Sequence, residues 1–166
     1  IEYAEPNYLG YSAYVPNDAL YNPTDFAYLN PEVAQAWDIE RGNQNTVIAI
    51  LDEGIHYDHE DLTENIPGCI VGSGCSEGAG YDFVDITYLT NPSGDYNIPD
   101  NDPYPLEEDF NPHGTLTSGI AGAKGHNEIG ISGICMDCKI MPIRVSYSGA
   151  HESDDVAKGI YYAVDN

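Results

Sequence analysis

Two residues stand where chemistry could be built. Asp52 ends the apolar run that starts at Asn45, and His113 opens the stretch His113-Gly114-Thr115 after a long polar loop. A carboxylate that hydrogen-bonds one imidazole nitrogen fixes the tautomer and leaves the other nitrogen as a general base. Such a pair needs a nucleophile, Ser or Cys, held at hydrogen-bonding distance. A second cluster, His56-Tyr57-Asp58-His59, holds part of a zinc-ligand pattern, but Gly54 stands where that pattern wants another His. A metallohydrolase is therefore a rival reading, with His113, His126 and His151 as the remaining His ligands.

The four cysteines form two close pairs, Cys69/Cys75 and Cys135/Cys138. Only Cys135-Met136-Asp137-Cys138 has the C-x-x-C form, and it precedes a strand-like run where a redox pair would open a helix. Two short-loop disulfides in an oxidising compartment are favoured, with free thiols as the alternative.

Hydrophobic patterning supplies the framework around these residues. Asn45–Leu51 is continuously apolar and reads as a buried parallel strand covered on both faces. Lys139–Val145 is a second strand, and Gly80–Val84 a short one within the loop-rich stretch 66–111. Helices are expected over Pro31–Ile39, His113–Ala123 and Ser153–Val164, the last with Ser153 as N-cap and Asp154 and Asp155 in its first turn. Residues 1–31 are rich in Tyr, Pro and Asn and read as an extended arm or linker. Strand, helix, strand, helix in that order gives an α/β fold with a parallel sheet. A sheet with two clear central strands is incomplete, which predicts that these residues are the N-terminal part of a larger domain.

Composition bounds the partners. The 166 residues carry 28 acids against 5 bases, a formal charge of −23. Five bases cannot supply the footprint that phosphate neutralisation needs, so nucleic acid is disfavoured. Anionic membranes are disfavoured for the same reason. No apolar run approaches the roughly 20 residues of a membrane span. Hydrophobic residues at 42% suffice for a core. The acidic surface suits salty or calcium-rich surroundings.

Taken in order, the motifs resemble those of subtilisin-like serine proteases (subtilases). Val47-Ile48-Ala49-Ile50-Leu51-Asp52-Glu53-Gly54-Ile55 with His59-Glu60-Asp61-Leu62 is similar to their Asp region. His113-Gly114-Thr115-Leu116-Thr117-Ser118-Gly119-Ile120-Ala121-Gly122 resembles their His region. Asn127–Ile134 and Ile140–Val145 resemble the segments that come after the His region in those proteases, and Asp154–Asn166 the next helix. Ile1–Tyr8 looks like the end of an inhibitory propeptide, and Pro16-Asn17-Asp18 like the start of a mature enzyme. The implied organisation is propeptide end or linker over 1–15 and the N-terminal part of a three-layer subtilisin-like catalytic domain over 16–166, with 66–111 as an insertion.

The resemblance also implies roles. Asp52 would orient the imidazole and His113 would act as general base, then general acid, in a secreted, monomeric endopeptidase. The nucleophilic Ser lies further along in this family, so residues 1–166 alone are expected to be inactive. Gly149, Ala150 and His151 would form the edge strand that pairs with a bound peptide. Calcium is the implied structural cofactor, held by Asp18, Asp61, Asn127 and the carbonyls of Ile129 and Ile131. A second acidic patch, Asp95 with Asp100 and Asp102, is a further calcium candidate. The partners implied are a protein or peptide substrate and the chain's own propeptide.

Four positions depart from the family pattern. Glu53 stands where Ser or Thr is usual and is expected to face solvent. Leu116 and Thr117 replace the usual His and Val and are read as packing positions. Pro112 replaces the usual Gly before His113. Glu53 lends support to a non-catalytic, calcium-stabilised homologue as the alternative.

Overall fold

The structure is a computed structural model that describes residues 14–22, 31–86, 98–105 and 112–166. The expectations placed on residues 1–13 and on Asp95 lie outside the described residues.

The chain runs α1 (Pro31–Trp37), β1 (Val47–Asp52), a short 3-10 turn (Thr63–Asn65), β2 (Cys69–Ile70), β3 (Gly74–Cys75), β4 (Tyr81–Asp82), α2 (His113–Gly122), β5 (Lys139–Arg144) and α3 (Ser153–Asp165). This is a mixed α/β fold built on a parallel sheet of order β1-β5-β4. The register of β1 and β5 runs from Val47↔Lys139 to Asp52↔Arg144. Alternation along the strands splits the core in two. Ile48, Ile50 and Ile140 pack with Ile55, Tyr57, Leu62, Ile66, Ala121 and Ala123 on the α2 side. Ala49, Leu51, Met141, Ile143 and Val145 pack with Val156, Tyr162 and Ala163 of α3 on the other. Helices on both faces of one sheet make three layers.

Three details correct the sequence expectations. The apolar run of β1 is half-buried, not covered throughout, because β1 lies at the edge of the described sheet and β5 takes the centre. The 66–111 stretch holds a second, two-stranded antiparallel sheet in which Cys69 faces Cys75. Strands of two residues carry no periodicity that a sequence could display. The N-cap of α3 is Glu152, not Ser153, and its side chain makes no capping bond.

Residues 14–22 are packed and are no free linker. Tyr14 and Tyr21 close on the buried Trp37, the Leu20 N–H donates to the Gly130 carbonyl at 2.8 Å, and Asp18 is buried. Polar, Tyr-rich composition concealed this, since aromatic rings bury large area whatever their spacing.

Both cysteine pairs are bonded, Cys69 to Cys75 and Cys135 to Cys138. Among the described residues no helix is long and apolar enough to cross a membrane.

Candidate active site

The carboxyl end of β1 and the N-terminus of α2 meet. β1 ends at Asp52, and α2 begins at His113 with Pro112 preceding it. The approach is possible because residue 114 is glycine. A Cβ there would collide with the Gly54 carbonyl oxygen and sit 3.1 Å from the Asp52 Cβ. Any larger residue would push the start of α2 off the strand.

The close approach brings the two candidate residues together. The His113 Nδ1 lies 2.8 Å from Asp52 Oδ2 and 3.0 Å from Oδ1. A carboxylate only accepts, so Nδ1 carries the proton and donates, and in the neutral ring Nε2 is left as an acceptor. Asp52 has one further donor and a hydroxyl nearby. The Glu53 N–H donates to Oδ1 at 2.8 Å, and the Thr117 hydroxyl lies 3.4 Å from Oδ2. The hydrogen bond from Nδ1 to Asp52 and the charge of that carboxylate hold the imidazole above its ordinary range, and Glu53 adds to the effect. The His113 side chain is 63% exposed and Asp52 only 12%. The pair is thus a half-buried carboxylate presenting an exposed imidazole.

Glu53 and Thr117 correct the sequence reading. Glu53 faces inward, 7% exposed, and accepts a hydrogen bond from the Gly149 N–H. A carboxylate is buried only where donors compensate its lost hydration, and the Gly149 amide is one such donor. Thr117 is more than a packing residue: its hydroxyl donates to the Gly114 carbonyl at 3.1 Å and lies 3.4 Å from Asp52 Oδ2. Leu116, also read as packing, is 60% exposed.

The family model for subtilases matches residues 43–166. The chain belongs to the subtilase family. A thermophilic serine proteinase of Bacillus sp. strain AK1 is 35% identical over 167 residues, covering all of this chain and 35% of that protein. The halolysin-like extracellular serine protease Nep of Natrialba magadii is 35% identical, over 99% of this chain and 27% of its own. Among solved structures, a protease from Pseudoalteromonas arctica superposes with a TM-score of 0.68 at 25% identity, over 87% of this chain and 43% of that one. The chain therefore spans about a third or less of the length of these two sequence relatives.

The remaining site residues of this subtilase chain fall into three groups. Gly149 and Ala150 lie in a tight turn, not on an open strand edge. Tyr147 and Ala150 exchange both backbone hydrogen bonds at 2.8 Å, while His151 follows the turn, exposed. Asp18, Asp61 and Asn127 are brought together. Asp18 is 5% and Asp61 3% exposed. Asp18 accepts from the His126 N–H at 2.8 Å and from the Ser132 hydroxyl at 2.7 Å. Asp61 accepts from the Asn127 amide at 3.0 Å and from the Ile131 N–H at 2.8 Å. Burial raises the Asp61 carboxyl above its ordinary value, and the Asp18 charge adds to this. The Asn127 amide nitrogen faces Asp61, and its oxygen accepts from the Ile129 N–H at 2.9 Å, so both carboxylates are held by N–H and O–H donors.

Asp100 and Asp102 are otherwise engaged. Asp100 accepts from the Asp102 N–H at 2.7 Å, and Asp102 from the Tyr57 hydroxyl at 2.7 Å. Burial and the Asp102 carboxylate push that hydroxyl well above its usual range.

The zinc pattern does not converge. His56 Nδ1 meets the Tyr104 hydroxyl at 2.8 Å, that hydroxyl donates to Asp58 at 2.9 Å, and His59 Nδ1 accepts from the Asp61 N–H at 3.2 Å. Among the described residues, no three His, Cys, Asp or Glu side chains are grouped to hold a metal ion.

Proposed function

We propose that the protein carrying this chain is an extracellular serine endopeptidase in which Asp52 orients His113 and His113 moves the proton. The observation that carries the reading is the His113 Nδ1 held between both oxygens of Asp52. Asp52 sets the tautomer, and Nε2 is the atom that takes the proton of an attacking hydroxyl and returns it to the leaving amine. The serine hydroxyl comes from sequence following Asn166. The anion at Asp52 compensates the imidazolium formed during attack. Family membership and relatives named as serine proteases support the reading. The extracellular assignment rests on the name of the Natrialba relative and on the two disulfides.

The 147–151 segment is read as one wall of the peptide cleft, beside the His113–Asp52 pair, and the chain's own propeptide as its natural occupant before activation. Asp18, Asp61 and Asn127, with the carbonyls of Ile129 and Ile131, would hold calcium. That ion would neutralise two buried carboxylates and so fasten residues 14–22 to the 126–131 loop.

The test is a fluorophosphonate on the full-length protein, read by intact mass. Wild type gains one adduct and hydrolyses peptide. His113→Ala gains none and loses turnover on the order of 10⁶-fold, the scale established for triads of this family. An adduct that forms equally well without His113, or a wild type that neither labels nor hydrolyses, rejects the proposal.

A further inference from the structure

We propose that Glu53 is a positioning residue: its buried carboxylate anchors the Tyr147–Ala150 turn through the Gly149 N–H and thereby fixes where an extended peptide lies against His113. The inference rests on the serine-protease reading above and goes beyond it by giving a role to the residue that departs from the family pattern.

The geometry shows why an anchor is needed. Beyond β5, the Val145 N–H donates to the Asp52 carbonyl at 2.9 Å, and that is the last ladder bond before the turn. The turn closes on itself through the Tyr147 and Ala150 pair. Ser148 has φ of 49° and Gly149 of 78°, so both central residues adopt the left-handed region. This makes the turn internally stiff. Tyr147 and Ala150 pack against the buried Val84 and Ile86, which seats the turn on the β4 side. The Glu53 carboxylate is a second attachment, on the neighbouring strand, at the residue next to Asp52. Held from β1 as well, the turn is fixed relative to Asp52, the residue that holds His113.

The same side chain acts on the base through charge. Among the described residues, the carboxylates of Asp52 and Glu53 are the groups that raise His113. Anchor and charge are separable by substitution. Glu53→Gln keeps an acceptor of the same reach and removes the charge. Glu53→Asp keeps the charge and falls one methylene short of the Gly149 N–H.

The experiment uses the full-length protein, an extended peptide substrate and a small fluorophosphonate that needs no peptide cleft. Glu53→Asp should raise KM about tenfold, the scale of one hydrogen bond to a charged acceptor, while labelling stays within about twofold of wild type. Glu53→Gln should hold KM within about threefold and move the acidic limb of kcat/KM to lower pH, because that limb reports the free base. Glu53→Asp should leave the limb in place. Equal KM in wild type and both variants overturns the anchor, as does a Glu53→Gln KM raised as far as that of Glu53→Asp. A Glu53→Asp variant that labels as slowly as it hydrolyses also overturns it, since the chemistry rather than the cleft has then changed. A wild type that neither labels nor hydrolyses rejects the serine-protease reading, and this inference with it.

Discussion

The Asp52–His113 contact makes a titration experiment decisive at the scale of the single residue. The carboxylate favours the protonated ring, so His113 should titrate above its ordinary value of about 6.5. Asp52→Asn removes the charge, and the midpoint should fall toward that value; the His113 ring proton in an NMR titration reads it directly. Linkage sets the sign for stability. A base whose folded value is raised contributes fully below its unfolded value and loses that contribution as pH rises through the folded one. The stability gap between wild type and Asp52→Asn should therefore narrow as pH climbs from 6 through the raised midpoint. Asp52 and His113 were legible because a carboxylate ending an apolar strand and a His opening a small-residue helix are sequence patterns. The direction of Glu53 was not. Whether it turns in or out depends on the Gly149 amide, 96 residues away, which no local pattern records.

The meeting of β1 and α2 is the critical event among the elements, and Gly114 permits it. Gly114→Ala places a methyl group against the Gly54 carbonyl, so α2 must withdraw. The expected cost is about 1–3 kcal/mol in stability and roughly 10²-fold in turnover from a misplaced His113. Thermal melts and steady-state kinetics on the full-length protein check both, and wild-type values in each would reject this account of the contact. Fastening of residues 14–22 is likewise testable. EDTA should lower Tm of the wild type, and Asp61→Asn should abolish that response; an EDTA-insensitive wild type removes calcium from the reading. The main strands and helices were readable from apolar runs and turn residues. The packed arm and the two-residue strands were not, because their order comes from Trp37, the 126–131 loop and a disulfide.

The 166 residues together carry a charge of −23. Like charges on a compact surface repel, and the repulsion weakens as the Debye length shrinks from about 10 Å at 0.1 M salt to about 3 Å at 1 M. If the whole protein shares this acidic balance, its Tm should rise between 0.1 and 1 M KCl, and a fall over that range would show that screened ion pairs outweigh screened repulsion.

The β1–β5 ladder pairs Val47 with Lys139, so most of the sequence must be threaded between the two strands before their first bond closes. Such distant pairings make folding slow, on the millisecond-to-second scale or beyond. If the proposed peptidase activity holds, a chain built this way meets its finished siblings while it is still open and cleavable. Refolding yield should consequently depend on concentration, and each batch should be its own worst contaminant.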